Sequence, residues 1–445
     1  MFSLAEAAKQ IRHRQLSSVE LTRLCLERIE RLNPSLNAFI TVTADLALRQ
    51  ARQADAEVLA GRWRTPLHGV PVALKDLIDL AGVRTTAASN QLRNRIAGED
   101  AMIVTQLKQA GAVIVGKTNL HEFAFGGSGV ISAFGAARNP WDTARISGGS
   151  SSGSAAAVVA GMTVAALGTD TAGSARDPAA LCGIVGYRPS RDVWGMEGVI
   201  PLRKSFDTLA LMTRTVEDGQ LMLSALSNVP GRARAVDHFR VGVARQEFFE
   251  DLDTEVEKCI ERSLEAIRAL VASVCEVKVQ VRIPWTDFDV EILDYHRNMM
   301  AESPELYQPA TLERLRACTA IPQDKFERAQ NNLKRLRAEA EAIFDHVDIV
   351  ITPTCPVGAP TIAELEATSA KELRAFEVQT LLRNTAPFSL LLWPSVSLPC
   401  GFTSQGLPVG LQISARPGSD SMAFTIARAY EQATDWHKRV PTMTG

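Results

Sequence analysis

The uneven placement of glycine constrains this chain more than any other feature. Of the 29 glycines, 17 lie between residues 111 and 219, and none lies between residues 243 and 357. Glycine permits close backbone approach and left-handed turns, whereas long glycine-free stretches favour helices. The distribution therefore predicts a core built on exposed backbone, joined to a charged helical segment.

Apolar runs alternate with helical patterns along the chain. A capping box at Ser17 begins a periodic helix that the Asn33–Pro34 pair should end. The alternation predicts an α/β fold: a single large domain whose central, mostly buried mixed β-sheet is flanked by helices on both faces. Further helices are predicted at residues 44–59, 103–110, 154–160, 256–271, 325–344 and 422–436. Strands are predicted at residues 69–75, 112–115, 162–167, 347–352, 395–400 and 410–414.

The sequence contains no internal repeat and no low-complexity linker, which favours one domain over residues 1–445. We expect a glycine-rich catalytic core over about 65–220. A variable helical cap over about 225–345 should carry the substrate region. Sheet and helix are then completed over about 346–445.

Composition excludes several classes of protein. The formal charge is −2, from 48 basic and 50 acidic residues, which gives no broad surface for nucleic acid or an anionic membrane. The seven cysteines have no C-x-x-C spacing and the seven histidines are scattered, so neither a disulfide framework nor a metal site is predicted. The start has no apolar signal region and no long apolar run follows, so a cytoplasmic protein is expected.

Two catalytic motifs match in letters but not in context. Residues 111–118 fit a P-loop, yet a helix precedes Gly111 and the spacer favours a strand, whose N–H groups could not bind phosphate. Residues 149–153 fit G-x-S-x-G around Ser151, but residues 142–148 look like a loop, and a nucleophile elbow needs a strand there. We therefore reject both interpretations.

Two small polar loops bracket one helix and one strand. The loops are Ser147–Ser154 and Gly168–Ser174. Such loops supply N–H donors and exposed hydroxyl groups, which acyl transfer requires. The pair therefore indicates a serine-based site.

These loops resemble the signature of the amidase signature family, as do Pro178–Gly183 and the lysine motif at Val70–Asp76. Further matches lie at residues 122–126, 139–141, 205–208, 352–354, 397–401, 406–412 and 431–436. The resemblance covers nearly the whole chain except about 225–345, and it implies the amidase signature fold of the stand-alone amidase type.

The resemblance implies a Ser–Ser–Lys mechanism. Ser174 would be the acylating nucleophile, and Ser150, after a cis peptide bond from Gly149, would relay its proton to Lys75. Lys75 can act as a base only when neutral, and lowering its pKa from about 10.4 to about 7–8 costs about 3–5 kcal/mol, which burial would supply. The implied oxyanion hole consists of the backbone N–H groups of Thr171, Ala172, Gly173 and Ser174.

Several positions depart from the family pattern or flank the site. Ala172 stands where the family has glycine, and its N–H serves only if its φ tolerates a Cβ. Asp177 replaces an aliphatic residue and could pair with Arg176, Arg188 or a basic substrate group, or face water. Asp170 and Arg176 are expected to form a structural ion pair, and His121 and Cys182 to be supporting residues.

The predicted function is hydrolysis of amide C–N bonds through an acyl-enzyme, extending to aryl amides, carbamates (urethanes) or esters, with no metal or organic cofactor. The alternatives are an A-type subunit of a glutamyl/aspartyl-tRNA amidotransferase that works with partner chains, and an allophanate- or urea-type hydrolase. The expected ligand is a small amide or carbamate, and a homodimer is a candidate assembly. Candidate substrate-binding residues are Gly126, Gly127, Ser128 and Ser151.

Overall fold

The fold is described from a computed structural model that covers residues 2–229, 235–281 and 284–443. The strands are β1 Phe39–Val42, β2 Pro71–Lys75, β3 Val113–Thr118, β4 Arg138–Asn139, β5 Asp142–Ile146, β6 Ala165–Asp170, β7 Val185–Arg188, β8 Thr208–Thr213, β9 Arg240–Val243, β10 Ser273–Glu276, β11 Ile349–Pro353, β12 Ser395–Phe402 and β13 Pro408–Ala415. The α-helices are α1 Leu4–Arg12, α2 Ser18–Leu36, α3 Ala44–Leu59, α4 Met102–Ala110, α5 Ser152–Val159, α6 Arg176–Cys182, α7 Val216–Leu226, α8 Thr254–Arg268, α9 Leu293–Glu302, α10 Pro309–Cys318, α11 Gln323–Glu341, α12 Ile362–Glu366, α13 Ala370–Phe376, α14 Ala386–Leu390 and α15 Asp420–Ala433.

One mixed sheet organises the described part of the chain. Its 11 strands lie in the order β1-β3-β2-β6-β8-β7-β12-β13-β11-β9-β10. β2 runs parallel to both β3 and β6, whereas β6 is antiparallel to β8. Because β2 and β6 are parallel neighbours, their carboxyl ends meet at one edge of the sheet. Lys75 and Asp170 end these two strands.

Helices cover both faces of the sheet, as predicted. Val72 and Leu74 of β2 pack in one apolar cluster with Leu107 of α4, whereas Ala73 between them packs in another with Ala156 of α5. Alternate residues of a strand point to opposite faces, so β2 is buried on both sides. The confirmed fold class is therefore a helix–sheet–helix α/β domain.

The helices that follow the two polar loops are fully buried and tightly packed against neighbouring backbone. Every residue of α5 and of α6 is buried. A Cβ added at Gly153 in α5 would lie 2.3 Å from the carbonyl oxygen of Ala38 and 2.6 Å from the backbone nitrogen of Asn119. Small residues in α5 thus let the helix approach neighbouring backbone and fix the loop that precedes it.

The predicted end of α2 at the Asn33–Pro34 pair is wrong. The helix continues to Leu36, which is fully buried, and Asn37 then adopts a left-handed conformation. The N–H of Asn37 donates to the carbonyl oxygen of Asn33 at 2.8 Å. Burial of Leu36 and this closing hydrogen bond outweigh the helix hydrogen bond that a proline lacks.

Two strands differ from the predictions, one in its existence and one in its first residue. Residues 142–146, expected to be a loop, form β5 and pair with β4 in a separate two-stranded sheet. The strand predicted at 162–167 begins three residues later, as β6, because pairing with β2 and β8 sets its bounds. Short runs of alanine and glycine carry little local preference, so neighbouring strands decide such boundaries.

The predicted helical cap also contributes to the sheet. Within 225–345, β9 and β10 form a parallel pair at one sheet edge beside helices α8 to α11. Residues 230–234 and 282–283 of this segment lie outside the described residues. Within the described ranges, no helix combines the length and apolar character needed to cross a membrane.

Candidate active site

Lys75 lies at the carboxyl end of β2 and is completely buried. Parallel pairing sets Leu74 opposite Leu167, which places the lysine beside the last residues of β6. Its Nζ donates to Oγ of Ser150 at 2.7 Å and to Oγ1 of Thr169 at 2.8 Å. Among the residues that the structure describes, the amine is therefore held between two hydroxyl groups and forms no ion pair.

Burial lowers the pKa of Lys75 from 10.5 to about 7, although the carboxylates of Asp170 and Asp207 act to raise it. Removing an ammonium group from water disfavours its charged form. A lysine with a pKa near 7 is neutral in about half of the molecules at pH 7. The base form required by the predicted chemistry is thus populated near neutral pH.

The two serine loops are joined through their backbones. The N–H of Ser151 donates to the carbonyl oxygen of Ser174 at 3.0 Å. The carbonyl oxygen of Ser150 accepts a further hydrogen bond from the N–H of His121 at 3.1 Å. The Gly149–Ser150 peptide bond is cis, which confirms that prediction. Ser150 is fully buried, while Ser174 retains 3% exposure. In the described ranges, no hydrogen bond joins the two hydroxyl groups directly.

A buried ion pair shapes the turn before Ser174, as predicted. Nη2 and Nε of Arg176 donate to the two carboxylate oxygens of Asp170 at 2.9 and 3.0 Å. Arg188 donates to the carbonyl oxygen of Asp170 and lies 3.4 Å from its carboxylate. Burial alone would raise the pKa of Asp170, but the two guanidinium groups outweigh burial and hold it well below its usual range.

The predicted oxyanion hole needs one correction. The N–H of Gly173 donates to Oδ1 of Asp170 at 2.9 Å and is therefore occupied. In the described structure the N–H groups of Thr171, Ala172 and Ser174 have no protein acceptor. Ala172 does not adopt a left-handed φ, so its Cβ is tolerated. Three of the four predicted donors thus remain available, and their role stays a prediction.

Side chains outside the turn hold it in place. Oγ1 of Thr385 donates to the carbonyl oxygen of Ala172 at 2.7 Å, and Oγ1 of Thr171 donates to Oδ1 of Asp207 at 2.6 Å. At Gly173, where φ is +133°, an added Cβ would lie 2.0 Å from Oγ1 of Thr385. Glycine is required at this position because both the backbone angle and the available space exclude a side chain.

Comparisons with known proteins identify the family of the chain. The sequence profile of the Amidase family matches residues 20–424. The chain belongs to the amidase family. It is 35% identical to the A-type subunit of the glutamyl-tRNA(Gln) amidotransferase of Geobacter metallireducens, over 98% of each chain.

Solved amidase structures have the same fold. A crystal structure of an amidase superposes with a TM-score of 0.89 at 31% identity, covering 97% of this chain and 99% of that one. The peptide amidase of Stenotrophomonas maltophilia gives a TM-score of 0.84 at 28% identity, covering 99% and 98%. Membership in this family makes the chain an enzyme that acts on C–N bonds other than peptide bonds.

The predicted substrate-binding residues of this amidase lie around the serine loops. The hydroxyl groups of Ser128 and Ser151 donate to partners within the protein. Oγ of Ser128 donates to Oε1 of Glu377 at 2.6 Å, and Oγ of Ser151 donates to the carbonyl oxygen of Thr169 at 3.2 Å. Both serines are buried. Their side chains therefore support the loops in this structure, and their contact with a substrate stays a prediction, since each hydroxyl oxygen can still accept a hydrogen bond.

Gly126 and Gly127 let their loop lie against the site. A Cβ at Gly126 would lie 2.2 Å from the ring of His121, and one at Gly127 would lie 3.0 Å from Leu382. Nδ1 of His121 accepts a hydrogen bond from the N–H of Gly129 at 3.2 Å, so this nitrogen carries no proton. Burial lowers the pKa of His121 to about 3, so the ring is neutral. Substrate contact by the two glycines remains a prediction.

Sequence reasoning missed several residues that support the site. Thr169 holds the amine of Lys75, and Asp207 holds the turn of residues 171–174, the predicted oxyanion turn. Glu377 holds the 126–129 loop together with Arg314, 2.9 Å away. Asp207 belongs to the 205–208 motif and could have been singled out there. Glu377 and Arg314 carry no local signal, because their partners are distant in the chain.

Proposed function

We propose that this amidase-family chain hydrolyses small amides with Ser174 as nucleophile, Ser150 as proton relay and Lys75 as base. The observation that carries the proposal is the buried Lys75 amine, 2.7 Å from the Ser150 hydroxyl, with its pKa lowered to about 7 by burial. A lysine can serve as a general base only when its pKa is near the working pH.

The proposed reaction begins when Oγ of Ser174 attacks the amide carbonyl carbon. The Ser174 proton passes to Ser150, and the Ser150 proton passes to neutral Lys75. Collapse of the tetrahedral intermediate breaks the C–N bond, and the leaving nitrogen takes the proton back through Ser150. Water then attacks the acyl-enzyme by the same relay. The relay requires the two serine hydroxyls to come within hydrogen-bond distance when substrate is bound.

The negative charge on the carbonyl oxygen would be stabilised by the available N–H groups of Thr171, Ala172 and Ser174. Backbone donors fixed in place before the reaction need no rearrangement as charge develops. Asp207 and Thr385 support this role, because each holds the turn that carries these donors.

An apolar cavity supports substrates with an apolar group. It has a volume of about 170 Å³, and its walls include Trp285, Leu382, Ala386 and Pro387. Leu382 belongs to the same apolar cluster as Ala172 of the oxyanion turn. An aryl or alkyl amide, carbamate or ester would bury its apolar part in such a cavity. This favours a stand-alone amidase over an enzyme for a small polar amide.

The test is hydrolysis of an anilide by the purified single chain. We expect turnover by the wild type and a loss of at least about 10³-fold in S174A and K75A, since the residues of a catalytic relay act as a unit. S404A and K371A, at exposed positions, are the matched controls and should keep full activity. Near-wild-type turnover by S174A or K75A would refute the proposed roles.

The second candidate is a tRNA-dependent amidotransferase component of the A type, which the 35% identity to such a protein favours. That role predicts activity that depends on partner chains, to which the released ammonia passes. A substrate panel separates the candidates: anilides and esters hydrolysed by the single chain support the amidase. Activity that appears only when partner chains are present supports the amidotransferase role, and activity confined to ureas supports an allophanate- or urea-type hydrolase. A homodimer stays a prediction, which the mass in solution would check.

A further inference from the structure

Among the described residues, Asp177 has none of the partners that the sequence allowed. It is fully buried, so it does not face the solvent. Its Oδ2 accepts the N–H of Gly149 at 3.0 Å, and its Oδ1 accepts the thiol hydrogen of Cys355 at 2.8 Å. The guanidinium group of Arg176 is instead directed to Asp170. Among the described residues, Asp177 therefore pairs with neither Arg176 nor Arg188, and contact with a basic substrate group stays a prediction.

Asp177 touches both serine loops at once. Its side chain holds Gly149, the residue before Ser150, while its backbone N–H donates to the carbonyl oxygen of Gly173 at 2.7 Å. Gly173 is the residue before Ser174. One residue thus links the two positions that precede the proposed relay and the proposed nucleophile.

The carboxylate of Asp177 is closely packed against the Gly148 backbone and is held from a distant part of the chain. A Cβ at Gly148 would lie 2.6 Å from Oδ2 of Asp177 and 2.8 Å from Cα of Pro178. The thiol of Cys355 comes from 178 residues further along the chain, just after β11. Burial raises the pKa of Asp177 to about 7, and the carboxylates of Glu377 and Asp170 act in the same direction. The hydrogen bonds from Gly149 and Cys355 oppose these effects.

We propose that Asp177, held by the Cys355 thiol, is a positioning residue that aligns the Ser150 loop with Ser174. This inference rests on the proposed function, because it gives the alignment a purpose in proton transfer. An apolar residue at 177 cannot accept the Gly149 N–H, which would then be buried without a partner. The loop would be free to shift, and a displacement of about 1 Å can slow a reaction about 100-fold.

The test compares D177L with D177N, two variants of similar size. Asparagine keeps an oxygen for the Gly149 N–H, whereas leucine does not. With an activated ester, we expect kcat to fall about 10- to 100-fold in D177L with KM within about twofold, and to fall less than about threefold in D177N. C355A removes the thiol donor and should lower kcat, whereas C355S should restore it. D324A replaces an exposed aspartate and is the matched control, which should keep the wild-type kcat.

A double-mutant cycle with S150A separates positioning from a loss of folding. If Asp177 acts through the Ser150 loop, D177L should slow the S150A enzyme by less than about twofold. An equal loss in both backgrounds, or equal kcat values for folded D177L and D177N, would overturn the inference. If D177L does not fold, the same cycle is run with C355A. Wild-type activity in S150A or S174A would instead refute the proposed function.

Discussion

Lys75 should lower the stability of the folded protein at neutral pH. Its pKa is lowered from 10.5 to about 7 by burial, so the unfolded chain binds a proton that the folded chain tends to release. Stability then rises with pH wherever the unfolded state holds more protons. Replacing Lys75 by methionine, which is apolar and of similar length, removes this effect.

The size of the effect follows from the two pKa values. Between pKa 10.5 and about 7, the linkage relation gives a destabilisation by Lys75 of about 4 kcal/mol at pH 7 and about 2 kcal/mol at pH 9. Methionine also leaves the hydroxyls of Ser150 and Thr169 without their amine partner, which offsets part of the gain. That loss is the same at both pH values, so the difference of about 2 kcal/mol isolates the lysine charge.

The assay is urea unfolding of the wild type and K75M at pH 7 and pH 9, with K371M as the matched control at an exposed lysine. The free energy of unfolding of the wild type should rise by about 2 kcal/mol relative to K75M between pH 7 and pH 9. K371M should show no such change. A pH-independent difference between wild type and K75M would mean that Lys75 has an ordinary pKa and is not neutral near pH 7.

Three further variants test other parts of the site. Because Asp207 raises the pKa of Lys75, the rise of kcat/KM with pH should move to lower pH in D207N, and an unchanged profile would contradict that coupling. G173A, whose Cβ would lie 2.0 Å from a threonine hydroxyl, should lose activity and about 1–3 kcal/mol of stability, whereas G98A has open space and should match the wild type in both. D170N leaves two buried guanidinium groups without their carboxylate and should lower the free energy of unfolding by about 3–5 kcal/mol; a smaller loss in thermal or urea unfolding would show that they find other partners.

Local chemistry predicted most of the helices. The capping box at Ser17 and the periodic segment after it form α2, and residues 44–59 form α3 as expected. The misplaced boundaries share one cause, since each depends on packing or strand pairing that the local sequence pattern does not reveal. Pro34 remains inside α2 because Leu36 is buried, and β5 exists because Arg138 and Asn139 supply a partner strand.

The candidate site divides in a similar way. The resemblance of two loops and one strand to the amidase signature was enough to select Lys75, Ser150 and Ser174, and the structure brings the first two into contact. The contact of Asp177 could not be predicted, because Cys355 lies 178 residues away in the sequence. The occupied N–H of Gly173 was equally hidden, because it depends on how the turn folds over Asp170.

The sequence by itself identified, through its resemblance to the amidase signature, the groups proposed for the chemistry and the small residues that surround them. Only the tertiary structure decided the burial of these groups and therefore their protonation. Lys75 is an ordinary lysine until the sheet and α5 remove it from water, because a charge in the interior loses its hydration without an ion pair to replace it. Burial raises the pKa of Asp177 but lowers that of Lys75, because in both groups it favours the neutral form.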